Sequence, residues 1–170
     1  MTMDTLTPNP ETVRPPVRTR ISLVIIDDTA EWRTALRFAC RRAAQTNGRV
    51  ALLRVIEPAE FEHWMSVAEL MREERRQEAE QLLQRVARDV NRLTGTMPAL
   101  HVREGNLRDE VFKLIDEEPS ISLLVLGANP SQDGPGPLIQ HLATKRIGRM
   151  RIPVTIVPGG LSDDAIDQIA

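Results

Sequence analysis

The sequence predicts an α/β protein: a five-stranded parallel, doubly wound sheet with helices on both faces. Three observations predict it. Five short β-rich apolar runs recur along the chain, separated by four longer segments of helical periodicity. The apolar runs are continuous, as in strands covered on both faces. The 170 residues make one domain's length, enough for a sizeable core. Right-handed crossovers between successive strands then favour the parallel, doubly wound arrangement.

Each element carries its own signal. Residues 21–26 (ISLVII) read as the first strand. Asp28 and Glu31 then fit a capping box, with Asp28 accepting from an early helix N–H and Glu31 reaching back. Trp32, Ala35, Leu36, Ala39, Cys40 and Ala43 follow at helical spacing, and Asn47-Gly48 supplies a stop. Residues 50–56 (VALLRVI) read as the second strand and 57–65 (EPAEFEHWM) as an irregular acidic connector. Ser66 and Glu69 form a second capping box. The helix beyond it sets Leu70, Leu82, Leu83, Val86, Val90 and Leu93 along one stripe and ends at Thr94-Gly95.

Residues 99–103 (ALHVR) read as the third strand. Asn106 caps a helix carrying Val111, Phe112, Leu114 and Ile115, which Pro119 terminates. Residues 121–126 (ISLLVL) read as the fourth strand, 127–137 as a loop, 138–150 as a helix and 154–157 (VTIV) as the fifth strand. The acidic tail, 159–170, either forms a short helix or stays loose. The predicted organisation is a flexible extension at 1–19, a folded domain at 20–158 and a C-terminal tail at 159–170.

Composition excludes several functions. Lys and Arg total 22 against 24 Asp and Glu, a net charge of −2, which argues against a dedicated nucleic-acid binder. Two Trp, three Phe and no Tyr leave few stacking platforms for single strands. The single cysteine, Cys40, forms neither an internal disulfide nor a cysteine zinc cluster and reads as core filler. No apolar run is long enough to span a membrane, and the proline-rich N-terminus lacks a signal peptide's apolar middle. The expectation is a cytoplasmic protein that engages neither nucleic acid nor membrane.

No catalytic arrangement emerges. His63 sits among Glu60, Glu62 and Trp64 without metal-ligand spacing, and no metal is expected. His101 reads as a strand side chain. Residues 71–80 (MREERRQEAE) alternate charges at helical spacing, as on a solvated, ion-paired face. His141 and Lys145 lie one turn apart and either share an anion or belong to a solvated helix face. If the first and fourth strands are neighbours, Asp27 and the Gly127 loop occupy the crevice where such sheets bind ligands.

Two families resemble parts of this chain. LVIIDDTAEW resembles the start of a response-regulator receiver, but the third strand runs into Arg103-Glu104-Gly105 and the fifth into Pro158-Gly159. The receiver's phospho-accepting Asp and its Lys are therefore missing. The stronger resemblance is to the universal stress protein family, over about residues 20–158. It rests on the first strand ending in Asp27, NGRVALLRVIEP, HVREGN, ISLLVLGA and the Pro-led RIPVTIVP, in order and at the right spacing. It implies a Rossmann-like sheet of order 3-2-1-4-5. It also implies a homodimer whose seam is the fifth strand, Val154, Thr155, Ile156 and Val157, pairing antiparallel with its mate.

In nucleotide-binding members the resemblance further implies a Gly-x2-Gly-x9-Gly-Ser/Thr loop after the fourth strand. There backbone N–H groups approach phosphate closely. Fixed by Gly127 upstream and Pro153 downstream, that register places Gly127, Pro130, Gln140 and His141 at the four signature positions. Pro130 removes an N–H, Gln140 puts a side chain where close approach is needed, and His141 is bulkier than a hydroxyl residue. Gly134 and Gly136 stand at the wrong spacing. Asp27 matches the family's adenosine-side acid, or else satisfies backbone N–H groups at a strand end. Val55 lies where the second strand would meet adenine.

The expectation is a scaffold without its triphosphate clamp. It would be a dimeric stress-response or regulatory binding module without catalytic activity or cofactor, with Phe61 and Trp64 facing an unidentified protein partner. The alternative is a nucleotide-binding switch or slow ATPase, holding ATP or AMP through Asp27, Val55, Gly127, Gly134, Gly136 and His141.

Overall fold

The computed structural model describes residues 19–58 and 65–170. The proposed extension, all but Thr19, lies outside the described residues, as do Phe61, His63 and Trp64. Five strands, β1 (Ile21–Ile25), β2 (Arg49–Ile56), β3 (Ala99–Glu104), β4 (Ile121–Ala128) and β5 (Val154–Pro158), form one sheet in the order β3-β2-β1-β4-β5. Every pairing is parallel, as the sequence predicts. Five helices accompany them: α1 (Trp32–Thr46), α2 (Met65–Thr94), α3 (Leu107–Glu117), α4 (Pro137–His141) and α5 (Asp163–Ile169).

The continuous apolar strands are explained by two cores, one on each face. Leu23, Ile25, Leu53, Leu124 and Leu126 turn toward α3 and α4, where they meet Phe112, Leu114, Ile115 and Ile139. Val24, Ile26, Leu52 and Val125 turn toward α1 and α2, against Ala35, Ala39, Cys40, Leu83 and Val86. The Cys40 side chain is fully buried.

Local signals explain most boundaries. Asn106 caps α3 as predicted, its Oδ1 accepting from the N–H groups of Arg108 (3.0 Å) and Asp109 (3.4 Å). Asn47 ends α1 in the left-handed region at φ 51°, its N–H donating to the Ala43 carbonyl. The acidic tail is a docked helix: Ser162 caps α5, and Ile166 is fully buried. Asp167 accepts from Arg37 Nε at 2.8 Å and Nη2 at 2.7 Å and pairs also with Arg41. Arg37 reaches Asp163 as well, at 3.0 Å.

Four expectations need correction. The capping box at Asp28 and Glu31 does not form: Glu31 holds the cap position of α1 without a side-chain bond. Asp28 is drawn instead to Arg54 of β2, at 2.7 Å, where its carboxylate meets a full guanidinium charge rather than a backbone N–H. Ser66 does not cap α2, which is already helical at Met65, and a cap needs a non-helical backbone. Leu70 does not join the buried stripe and is 61% exposed. The thirty residues of α2 extend about 45 Å, so its first turns run past the strands it covers.

The helix predicted at 138–150 breaks after five residues. A π turn, Leu142–Arg146, and a 3-10 turn, Ile147–Arg149, follow α4. Thr144 Oγ1 bonds back to the Gln140 carbonyl at 2.8 Å, which loosens a helix, and Gly148 is a poor helix former. The Arg146 guanidinium meanwhile stacks on Phe112, 4.7 Å from the ring centroid, tying the π turn to α3.

Candidate functional site

Strand order reverses at β1, which lies between β2 and β4, and the carboxyl ends of these strands frame a crevice. Asp27 stands at its centre, two residues beyond β1. Its Oδ1 accepts from the N–H and the hydroxyl of Thr29, at 2.9 and 2.6 Å, which fixes the carboxyl in a tight local turn. The carboxyl thus does satisfy a backbone N–H, and Asp27 still lines the hollows on either side.

The hollow toward β2 and α2 measures about 690 Å³ and is lined by charged groups. Asp27 and Val55 share it with Asp28, Arg54, Arg75 and Arg85. Arg54 spans its floor, donating to the Ile26 carbonyl at 3.2 Å and to Asp28. The hollow toward β4 measures about 270 Å³. Asp27, Gly127 and Gly136 line it with Glu31, Trp32, Asn129, Leu126, Leu138 and Ile139. Hydrogen bonds from the Thr29 side chain and from its own backbone N–H hold the Glu31 carboxyl below its ordinary range.

The loop after β4 is closed on itself. Asn129 N–H donates to the Pro135 carbonyl at 3.2 Å, and Asn129 Oδ1 accepts from Ser131 N–H at 2.9 Å. Gly134 has φ +108°, and a Cβ there would lie 2.5 Å from Gln140 Nε2. The Gln140 amide therefore occupies the ground beside Gly134. Gly127 has a different neighbour: a Cβ on it would lie 2.1 Å from the Glu31 carbonyl oxygen. Its bareness lets the start of α1 rest directly on β4.

His141 and Gly134 line neither hollow. The His141 ring faces Phe112 instead, with centroids 6.2 Å apart. The N-terminus of α3, beside the crevice, has acceptors of its own. At α3, Glu57 Oε1 accepts from Leu107 N–H at 3.1 Å, beside the two N–H groups taken by Asn106. At α4 the first residue is Pro137, which has no N–H.

Sequence reasoning missed Arg54, Glu57, Leu107, Trp32 and Asn129. Three follow a visible rule: Glu57, Leu107 and Asn129 come within three residues of a strand's carboxyl end. Arg75 and Arg85 arrive from α2, and no local signal announces them.

Elsewhere, burial pushes the Cys40 thiol up to about 12 and the His101 imidazole below its ordinary value. Among the described residues no group of three or more His, Cys, Asp or Glu could hold a metal, and no helix is long and apolar enough to cross a membrane. On the outer edge of β5, Val154 and Thr155 are half-buried, Ile156 is 44% exposed and Val157 is buried.

A parallel sheet with a crevice at its reversal point defines a doubly wound α/β protein of the Rossmann-like class. The chain belongs to the universal stress protein family, whose model matches residues 19–158. Among solved structures, universal stress protein UspA from Lactobacillus plantarum is 16% identical, with 82% of this chain and 97% of that one covered at a TM-score of 0.69. A universal stress protein family member from Burkholderia pseudomallei is 20% identical, covering 85% and 99% at 0.55. A universal stress protein in complex with cAMP is 16% identical, covering 84% and 99% at 0.54. At these identities the likeness shows the fold. No curated protein matches the chain.

Proposed function

We propose that this chain is a dimeric stress-response binding module of the cytoplasm that neither clamps ATP in a glycine cradle nor catalyses a reaction. One observation supports the reading: two glycines of this region, Gly134 and Gly127, have the protein's own groups packed against them. The Gln140 amide lies against Gly134, the Glu31 carbonyl covers Gly127, and Pro137 opens α4 without an N–H. Pro130 likewise offers no donor. Domain limits follow the same reading, with residues 1–19 appended to a domain at 20–158 and the tail at 159–170 folded back upon it.

The dimer seam in this reading is β5. Its exposed Ile156 sits on a sheet edge, and such edges invite pairing with a second chain. Ile156→Lys should yield monomer in sedimentation at micromolar concentration; a wild-type protein that is itself monomeric there defeats the seam. Phe61 and Trp64 are assigned to partner contact, and replacing both with Ala should change the captured partners without changing stability.

Calorimetry with ATP, AMP and cAMP tests the absence of a nucleotide. No saturable heat is expected. Saturable binding weakened by Asp27→Ala would establish the second reading, a nucleotide-binding switch. That reading draws on the neighbour in complex with cAMP and on Asp27 and Val55 sharing the larger hollow with three arginines.

A further inference from the structure

We propose that the smaller hollow, between the exits of β1 and β4, is a binding site for a compact apolar amine: a single aryl or branched alkyl body bearing one ammonium group. The inference rests on the reading that the phosphate cradle is closed, and adds what the remaining space accepts.

Shape and walls come first. At about 270 Å³ the hollow falls just under the usual range of small-molecule sites, about 300–1,000 Å³, which suits a one-ring body. Ile25, Leu107, Leu126, Leu138 and Ile139 supply apolar wall, and Pro135 and Pro137 make a stiff rim. Burying an apolar body there removes its surface from water, the main driving force available.

Charge then selects the head group. Among the described residues lining the hollow, the ionisable side chains are Asp27 and Glu31, both carboxyls; no Lys, Arg or His lines it. Glu31 adds a second carboxyl to the same wall. Asp27 spends Oδ1 on Thr29, and Oδ2 has no hydrogen-bond partner among the described residues. An ammonium can donate to that free oxygen in a charge-assisted bond. A phosphate or carboxylate would face two acids with no cation, and like charges brought together repel. Arg33 does not rescue an anion, since it lies outside the lining and stacks on the Trp32 ring, 4.6 Å from the centroid.

The test uses the full chain and four probes: 2-phenylethylamine, its neutral partner 2-phenylethanol, the anion 3-phenylpropionate, and AMP, each titrated by ¹H–¹⁵N and methyl NMR. The amine should saturate, with shifts centred on Ile25, Leu126, Leu138 and Ile139. It should bind about tenfold more tightly than the alcohol, as one charge-assisted hydrogen bond supplies, and the anion more weakly still. Asp27→Asn keeps an Oδ1 for Thr29 while removing the charge. It should bring the amine down to the alcohol's affinity and leave the alcohol unchanged.

The proposal is overturned if the amine shows no saturable shift by about 10 mM. Amine shifts away from these four residues, or 3-phenylpropionate binding as tightly as the amine, overturn it equally. AMP shifting Val55 and Arg54 would defeat the nucleotide-free reading alone, whereas AMP shifting Leu138 and Ile139 would defeat both.

Discussion

The two faces of the sheet are built by opposite means. On one, α1 and α2 are long, unbroken helices, and α5 is fastened to α1 by the Arg37–Arg41–Asp167 cluster. On the other, α3 is followed by a proline- and glycine-rich loop, a five-residue helix, a π turn and a 3-10 turn. Regular packing on the first face lets the second be irregular, and the smaller hollow lies under that irregular cover. Regular and irregular packing thus lie on different sides of one sheet, and local stability is expected to differ between them.

Probing one face against the other breaks or sharpens this contrast. The largest effect should come from Cys40. Buried on the regular face with its thiol raised to about 12, it should react with a thiol reagent only when the whole domain unfolds. Labelling should run about 10³-fold or more below the denatured protein's rate, the span of a global opening. Fast labelling in native buffer would show that this face opens locally and erase the distinction.

Gly127→Ala comes next. Its new Cβ meets a backbone carbonyl at 2.1 Å, which no rotamer change can relieve. A loss of about 3 kcal/mol in urea unfolding is expected, the upper end for overpacking. A loss under about 1 kcal/mol would mean that α1 is not seated as described.

The α5 clasp should show itself in acid. Hydrogen bonds from Arg37 and then Arg41 hold the Asp167 carboxyl well below its ordinary 3.8. A depressed native pKa gives stability that is whole above the unfolded value and drains away as pH falls below it. Asp167→Asn should therefore lower the Tm at neutral pH and flatten the acid limb of the Tm profile below about pH 4. An unchanged limb would place the acid-labile interaction elsewhere.

The smallest effect belongs to the irregular face. Gln140 is exposed, and Gln140→Ala should change unfolding free energy by no more than about 0.5 kcal/mol while quickening amide exchange around Gly134. A larger loss would make the loop part of the stable body.

What could be read from sequence follows from range. The strands were legible because two-sided burial writes itself as ISLVII and ISLLVL, and Asn106 because a cap acts on its own next residues. Asp28 misled because its rival Arg54 stands 26 residues away, which a four-residue pattern does not contain. The Phe112–Arg146 contact beside the π turn is again tertiary, outside any local pattern. At the crevice, position placed Asp27 and the family resemblance placed Val55, while the neighbour of Gly127 was not legible. That glycine is required by a carbonyl from α1, so its presence after β4 says nothing by itself about phosphate.

The π turn has a consequence for insertions and deletions. Each residue advances an α-helix by about 100°, so one residue added to a regular helix swings everything beyond it out of register. A π turn absorbs a surplus residue within a single wide coil. Deleting the exposed Ala143 should let Leu142–Arg146 tighten to α-helical pitch, at the cost of rotating Arg146 off Phe112. The start of β5 would keep its pairing with β4, because the slack is taken up before the chain reaches the sheet. Length variation at this point is thereby converted into a choice of helix type, and the sheet does not feel it.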